Sequence, residues 1–169
     1  MELFPRILGC RLAWRGQQVS IQVYRATEKQ AEMAYAIVQE YYQAAAVVVR
    51  EDREKFGKEY FGEGAGVWLA QAEGQAIGCV ALRRLSTVAA SGEIKRMYVR
   101  PEYRGLGVPR LLLRALEEYA NRGGYRWLYL DTAASMKAAA RFYEREGFLE
   151  CERYNENPQA ALFMRKALA

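Results

Sequence analysis

At 169 residues, with 51% hydrophobic, 12% aromatic and 27% charged side chains, the chain has the size and apolar content of one folded domain and not of a disordered segment. Histidine is absent, which excludes Ser-His-Asp and Cys-His nucleophile systems, and three scattered cysteines (Cys10, Cys79, Cys151) are too few for an all-thiolate zinc site. Lys and Arg number 25 against 20 Asp and Glu, for a net charge of +5 and a pI near 9.1, but no block of like charge occurs, so neither metal nor nucleic acid is an expected partner.

The unpaired cysteines suit a reducing, cytoplasmic compartment. No uncharged apolar run approaches the roughly 18–20 residues that a membrane span requires. Residues 1–19 have weak periodicity and read as an N-terminal extension, able to pack on its own domain or on a second copy in a homodimer. Residues 20–169 read as a single domain.

Alternation predicts a strand over 20–25, with Ile21 and Val23 on one side. Thr27 and Gln30 form a capping box, and Ala34, Ile37, Val38 and Tyr41 recur at helical spacing, predicting a helix to about residue 45. A second, more charged helix follows over 51–60. Strands over 67–72 and 76–84 flank Glu73-Gly74-Gln75, a hairpin sequence, and a third strand covers 93–99. Val108, Leu111, Leu112, Ala115, Leu116 and Tyr119 make one apolar stripe, and Gly123-Gly124 ends that helix. A strand over 125–131, a helix capped by Ser135 and running to 146, and strands over 148–154 and 161–166 complete the chain. The strand–helix–strand unit is parallel and right-handed, whereas the hairpins are antiparallel. The fold class expected is therefore α/β (α+β), a mixed, largely antiparallel sheet with helices on both faces.

The most informative stretch lies between the third of these strands and the striped helix, from Val99 to Arg110. A helix start offers unpaired N–H groups at a positive dipole end, glycines admit close approach of a phosphate, and Arg104 and Arg110 add charge. Gly-Lys-Ser/Thr, which a P-loop needs, is missing, and the third glycine of a dinucleotide fingerprint is missing too.

Arg104-Gly105-Leu106-Gly107 resembles the acyl-CoA-binding motif Q/R-x-x-G-x-G/A of the GNAT family of N-acetyltransferases. Glu93 to Pro101 before it, Leu128 to Thr132 after the helix, and Ala139-x-x-Phe142-Tyr143 with Gly147-Phe148 are similar to that family as well. The resemblance implies the acyl-CoA N-acyltransferase fold with a splayed parallel strand pair. It also implies acetyl-CoA as cosubstrate, an amine acceptor and sequential transfer. Met97, Tyr98 and Val99 would hold pantetheine through main-chain groups, and amides from Arg104 through Gly105, Leu106, Gly107, Val108 and Pro109 to Arg110 would hold the pyrophosphate. Glu93, six residues before Val99 and on its face by alternation, would be the general base, acting through water. Tyr143 would protonate the departing thiolate. The chain departs from the motif at Pro109, which has no N–H, and at Met136, where the family has Asn. These two departures motivate an alternative, a non-catalytic coenzyme-binding module. Tyr154 is expected near the acceptor. Arg83, Arg84, Lys95 and Arg96 lie near the acceptor side, divided by alternation between two faces, and suggest an acceptor that bears a carboxylate.

Overall fold

The computed structural model describes residues 8–14, 17–46, 48 and 52–169. Strand β1 (Leu8–Trp14) pairs antiparallel with β2 (Gln17–Arg25), so part of the N-terminal extension adds an edge strand to the sheet. A 3-10 turn then leads into α1 (Ala31–Ala45). The Thr27 amide and hydroxyl both donate to Gln30 Oε1, at 2.9 and 2.6 Å. Helix α2 (Arg53–Tyr60) starts two residues later than its composition suggested, because Asp52 is the residue that accepts from the Lys55 amide (2.9 Å) and caps it.

Strands β3 (Gly66–Ala72), β4 (Gln75–Arg84) and β5 (Ser91–Val99) form an antiparallel meander. Helix α3 (Val108–Arg122) carries the chain across to β6 (Trp127–Thr132), which runs parallel to β5. Helix α4 (Lys137–Arg145), β7 (Leu149–Glu150) and β8 (Leu162–Ala167) follow. The eight strands make one sheet in the order β1-β2-β3-β4-β5-β6-β8-β7, antiparallel except for β5 and β6. The mixed sheet with helices on both faces is the architecture that the element order implies.

Two cores hold the layers together. On one face α1 and α2 bury Ile37, Val38, Phe56 and Tyr60 against Leu69, Cys79 and Ala81. On the other, α3 buries Val108, Leu112, Leu113 and Leu116 against Val80, Leu82 and Leu128, with Tyr143 of α4 and Phe148 alongside. Each buried aliphatic side chain contributes about 1.5–3 kcal/mol, which anchors the start of α3 despite Pro109 at its second position, where the missing N–H costs nothing.

Two local expectations are corrected. Helix α4 is capped at Met136, not Ser135, because the Met136 amide bonds to the Ala133 carbonyl (2.9 Å) and Ser135 is used up in that turn. The strand expected over 148–154 is only two residues long. After the Cys151 amide meets the Phe163 carbonyl (2.9 Å), Tyr154 turns inward to set its ring against Tyr129 and Phe163, which takes the backbone off the ladder.

Candidate active site

The β5/β6 pair is parallel only for Ser91, Gly92 and Glu93 opposite Trp127, Leu128 and Tyr129. Beyond Glu93 the two strands part, and the edge of β5 that faces β6 has no ladder partner among the described residues. On its other edge β5 stays paired with β4, but the register jumps from Ala81↔Lys95 to Cys79↔Tyr98, so one extra residue sits in β5. Arg96 occupies this bulge with φ +56, a left-handed conformation rare for a side chain of its size. The Cys79 thiol donates to the Arg96 carbonyl (3.2 Å), and Arg96 Nε donates to the Tyr42 hydroxyl (2.9 Å) while the guanidinium lies 5.1 Å from the Tyr42 ring centroid. Gly78 is required beside it, since a Cβ there would stand 2.7 Å from the Tyr98 carbonyl.

The bulge corrects the facing of β5. Glu93 and Lys95 oppose Arg83 and Ala81 on the α1/α2 side, whereas Val99 opposes Gly78 and packs with the α3 core. Glu93 therefore does not share a face with Val99, because alternation counted across an inserted residue reverses.

The fork opens onto a cavity of about 1240 Å³. Its wall includes Met97, Tyr98, Val99, Arg104, Gly105, Pro109, Met136 and Tyr143, together with Tyr41, Lys55, Glu59, Arg83, Lys95 and Asp131. In the turn before α3, Gly105 and Gly107 adopt φ +81 and +75. The Arg104 amide bonds to Pro101 O (3.2 Å) and the Arg110 amide to Gly107 O (3.1 Å), while Pro109 has no amide hydrogen. The amides left without a partner among the described residues are those of Gly105, Leu106, Gly107 and Val108. This narrows the expected anion cradle to four amides, with Pro109 contributing none. The Arg110 guanidinium is paired with Glu146 (2.7 Å), the Leu106 and Val108 side chains pack into the α3 core, and Arg104 Nε donates to Val99 O (3.2 Å). Thr132, where β6 ends beside the fork, has a buried Oγ1 with no partner among the described residues, on the cavity wall.

Glu93 is 1% exposed and absent from that wall. Its Oε1 accepts from Lys95 Nζ, the Tyr154 hydroxyl and Asn155 Nδ2, each at 3.0 Å, and its Oε2 accepts from Arg83 Nε at 2.6 Å. Burial raises the Glu93 pKa, but the Lys95 and Arg83 cations outweigh it and hold the carboxyl below its usual range. Asp131 is held low in the same way, with Oδ2 accepting from Lys95 (3.0 Å) and Asn155 (2.6 Å). Tyr154, expected near the acceptor, is absent from the cavity wall and donates to Glu93. Tyr143 is buried, which pushes its phenol well above the usual range, and its hydroxyl has no hydrogen-bond partner among the described residues.

The family model described as the acetyltransferase (GNAT) family matches residues 14–148. The chain belongs to the GNAT family. It is 40% identical over 85 residues to an uncharacterized N-acetyltransferase of Schizosaccharomyces pombe, a match covering 50% of this chain and 52% of that protein, so the chain spans about half the length of that relative. A GNAT-family acetyltransferase structure from Staphylococcus aureus superposes with a TM-score of 0.77 at 21% identity, over 88% of this chain and 99% of that one. N-acetylglutamate synthase from Neisseria gonorrhoeae, solved with coenzyme A and N-acetyl-glutamate, superposes at 0.72 and 16% identity, over 88% of this chain and 35% of that one. At these identities the two structures establish likeness of fold.

In this GNAT chain the cavity brings together Met97, Tyr98, Val99, Arg104, Gly105, Pro109, Met136 and Tyr143, while Glu93 lies outside it. Sequence reasoning gave no role to Thr132 or Asn155 and did not foresee Arg83 as a partner of Glu93 beside Lys95. For Thr132 there was a signal, a lone hydroxyl at the end of an apolar strand. Nothing local foretells Asn155, whose partners are 62 and 24 residues away.

Proposed function

We propose that this chain transfers an acetyl group from acetyl-CoA to a primary amine of a small molecule, peptide or protein. The amine nitrogen attacks the thioester carbonyl directly, without an acyl-enzyme. The C–N bond forms as the C–S bond breaks, and the proton the amine loses passes through solvent while the thiolate leaves and becomes free coenzyme A. The observation that carries this reading is the junction of an open β5/β6 fork with a turn that has four amides without partners among the described residues and meets the same cavity at Arg104, Gly105 and Pro109. A diphosphate fits such a turn, because each N–H needs an acceptor and the helix dipole favours an anion there. The pantetheine arm fits the unpaired β5 edge at Met97 to Val99, whose backbone groups need partners, and the orphan Thr132 hydroxyl gains one from the same arm. The N. gonorrhoeae neighbour, which holds coenzyme A, supports the same cosubstrate.

No cysteine lines the cavity among the described residues, and Cys79 is sealed in the core, which favours direct attack over a covalent relay. With its pKa raised, Tyr143 remains protonated and gives the departing sulfur a hydrogen bond as negative charge builds there. The transferase unit takes in the whole of β2 from Gln17, with β1 extending its sheet, and its unpaired cysteines suit the cytoplasm.

Mass-tagged acetyl-CoA incubated with an amine panel tests the reading. Label should appear on an amine together with free coenzyme A. Failure of acetyl-CoA to bind overturns the proposal, and coenzyme A binding without transfer to any amine supports a non-catalytic module instead.

A further inference from the structure

The hydrogen-bonding capacity left open around Lys95 and Arg83 on the cavity wall is unbalanced. Behind the wall Glu93 is occupied by Arg83, Lys95, Tyr154 and Asn155; on it Asp131 is occupied by Lys95, Asn155 and Asn157, and Glu59 gives one oxygen to Arg83. Glu156, the other carboxylate on the wall, is exposed. The cations are not used up. Lys95 has three N–H donors and gives one to Glu93 and one to Asp131, keeping a third. Arg83 uses Nε on Glu93 and Nη1 on Glu59, which leaves Nη2 without a partner among the described residues. Lys55 of α2, on the same wall, has no side-chain partner among the described residues.

The facing of these cations is a product of the fold. Arg83 and Lys95 oppose Glu93 and Ala81 on the α1/α2 side, and the bulge at Arg96 sends that guanidinium toward Tyr42 on the same side. Three of the four cations that simple alternation divides between two faces thus meet on one. Glu93, the last residue of β5 paired with β6, binds Arg83 of β4 and Lys95 of β5 through its two different oxygens. Both ammonium and guanidinium are held on the wall with donors to spare, and Lys95 is only 11% exposed, so a charge-assisted contact to it is little screened.

We infer that Glu93 is a positioning residue, anchoring Lys95 and Arg83 as an anion-recognising pair, and that the acceptor amine therefore carries a carboxylate. This rests on the acetyltransferase reading and narrows its acceptor class. It also replaces the general-base role that family resemblance implies for Glu93. A base must reach the amine or its water, and this carboxylate is behind the wall with both oxygens engaged.

The test compares α-, β- and ω-amino acids with their carboxamides as acceptors for tagged acetyl-CoA at one pH. The carboxamide keeps shape and amine while removing the charge. We expect kcat/KM for the acid to exceed that for the carboxamide by about tenfold or more. In Lys95→Met this ratio should collapse toward one with the KM for acetyl-CoA unchanged, and Lys95→Arg should retain most of it. Glu93→Gln should raise the acceptor KM and leave the shape of the pH–rate profile as it was. Carboxamides used equally well, or transfer only to amines without a carboxylate, overturn the inference while leaving the transferase reading intact. So does acetyl-CoA binding with no transfer to any acid. Loss of a pH limb in Glu93→Gln restores the base role and overturns the positioning one. Acetyl-CoA that does not bind at all sinks the transferase reading itself. The acid-to-carboxamide ratio is read on the unaltered protein, so a variant that fails to fold leaves the decision in place.

Discussion

The Cys79 thiol on β4 donates to the Arg96 carbonyl on β5 at 3.2 Å, across the point where the extra residue enters the strand. A bulge displaces a carbonyl from the ladder, and a buried carbonyl without a donor costs about 1–3 kcal/mol. Cys79 supplies that donor from a fully buried site, where burial drives its pKa far up and keeps the thiol protonated. Cys79→Ala should lower stability by about 1–3 kcal/mol in urea unfolding and raise the KM for acetyl-CoA. In the native protein a thiol reagent should label Cys10 and Cys151, which are half-buried, and reach Cys79 only on unfolding. Labelling of native Cys79 would contradict this account.

Arg96 itself bears the strain, with φ +56. Glycine adopts that conformation freely, whereas a β-branched residue resists it. Arg96→Gly should keep the bulge, losing the Tyr42 contact. Arg96→Val should be less stable than Arg96→Gly by about 1–2 kcal/mol, although valine is the better strand former. The reverse order in denaturant midpoints would remove the bulge from the explanation.

Tyr143→Phe retains the ring packing against Phe142 and Phe148 and deletes one hydroxyl. A hydrogen bond to a charged group contributes about 1.5–3 kcal/mol, so kcat should fall roughly 10- to 100-fold with coenzyme A affinity preserved. Equal turnover for the two proteins would take Tyr143 out of the chemistry.

The carboxyl network also sets a pH dependence of stability. The pKa values of Glu93 and Asp131 are lowered in the folded chain, so the unfolded chain binds protons first as pH falls. Their contribution is complete above the ordinary carboxyl range near 4 and disappears as pH drops through the lower folded values. Melting temperature should therefore decline steeply below about pH 4. Glu93→Gln, which removes one charge from a buried ion cluster, should cost about 3 kcal/mol at pH 7 and progressively less in acid. A constant difference from pH 7 to pH 3 would exclude the linkage.

Local chemistry settled much of this molecule. The stripe from Val108 to Tyr119 specifies α3 because side chains three and four apart share a helix face whatever surrounds them, and Gly123 marks its end by losing the side chain that would favour continuation. The Gly74 hairpin and the glycine turn at 105–107 were equally legible, since few residues tolerate those backbone angles. Tertiary structure decided what depends on partners distant in the chain. The bulge at Arg96 exists because Cys79 and Tyr42 satisfy it from β4 and α1, and with it the facing of every β5 residue beyond Lys95 reverses. Glu93 has its place for the same reason: a carboxylate's role is fixed by the donors around it, and those donors come from β4, β5 and the segment beyond β7, brought together only when the sheet closes.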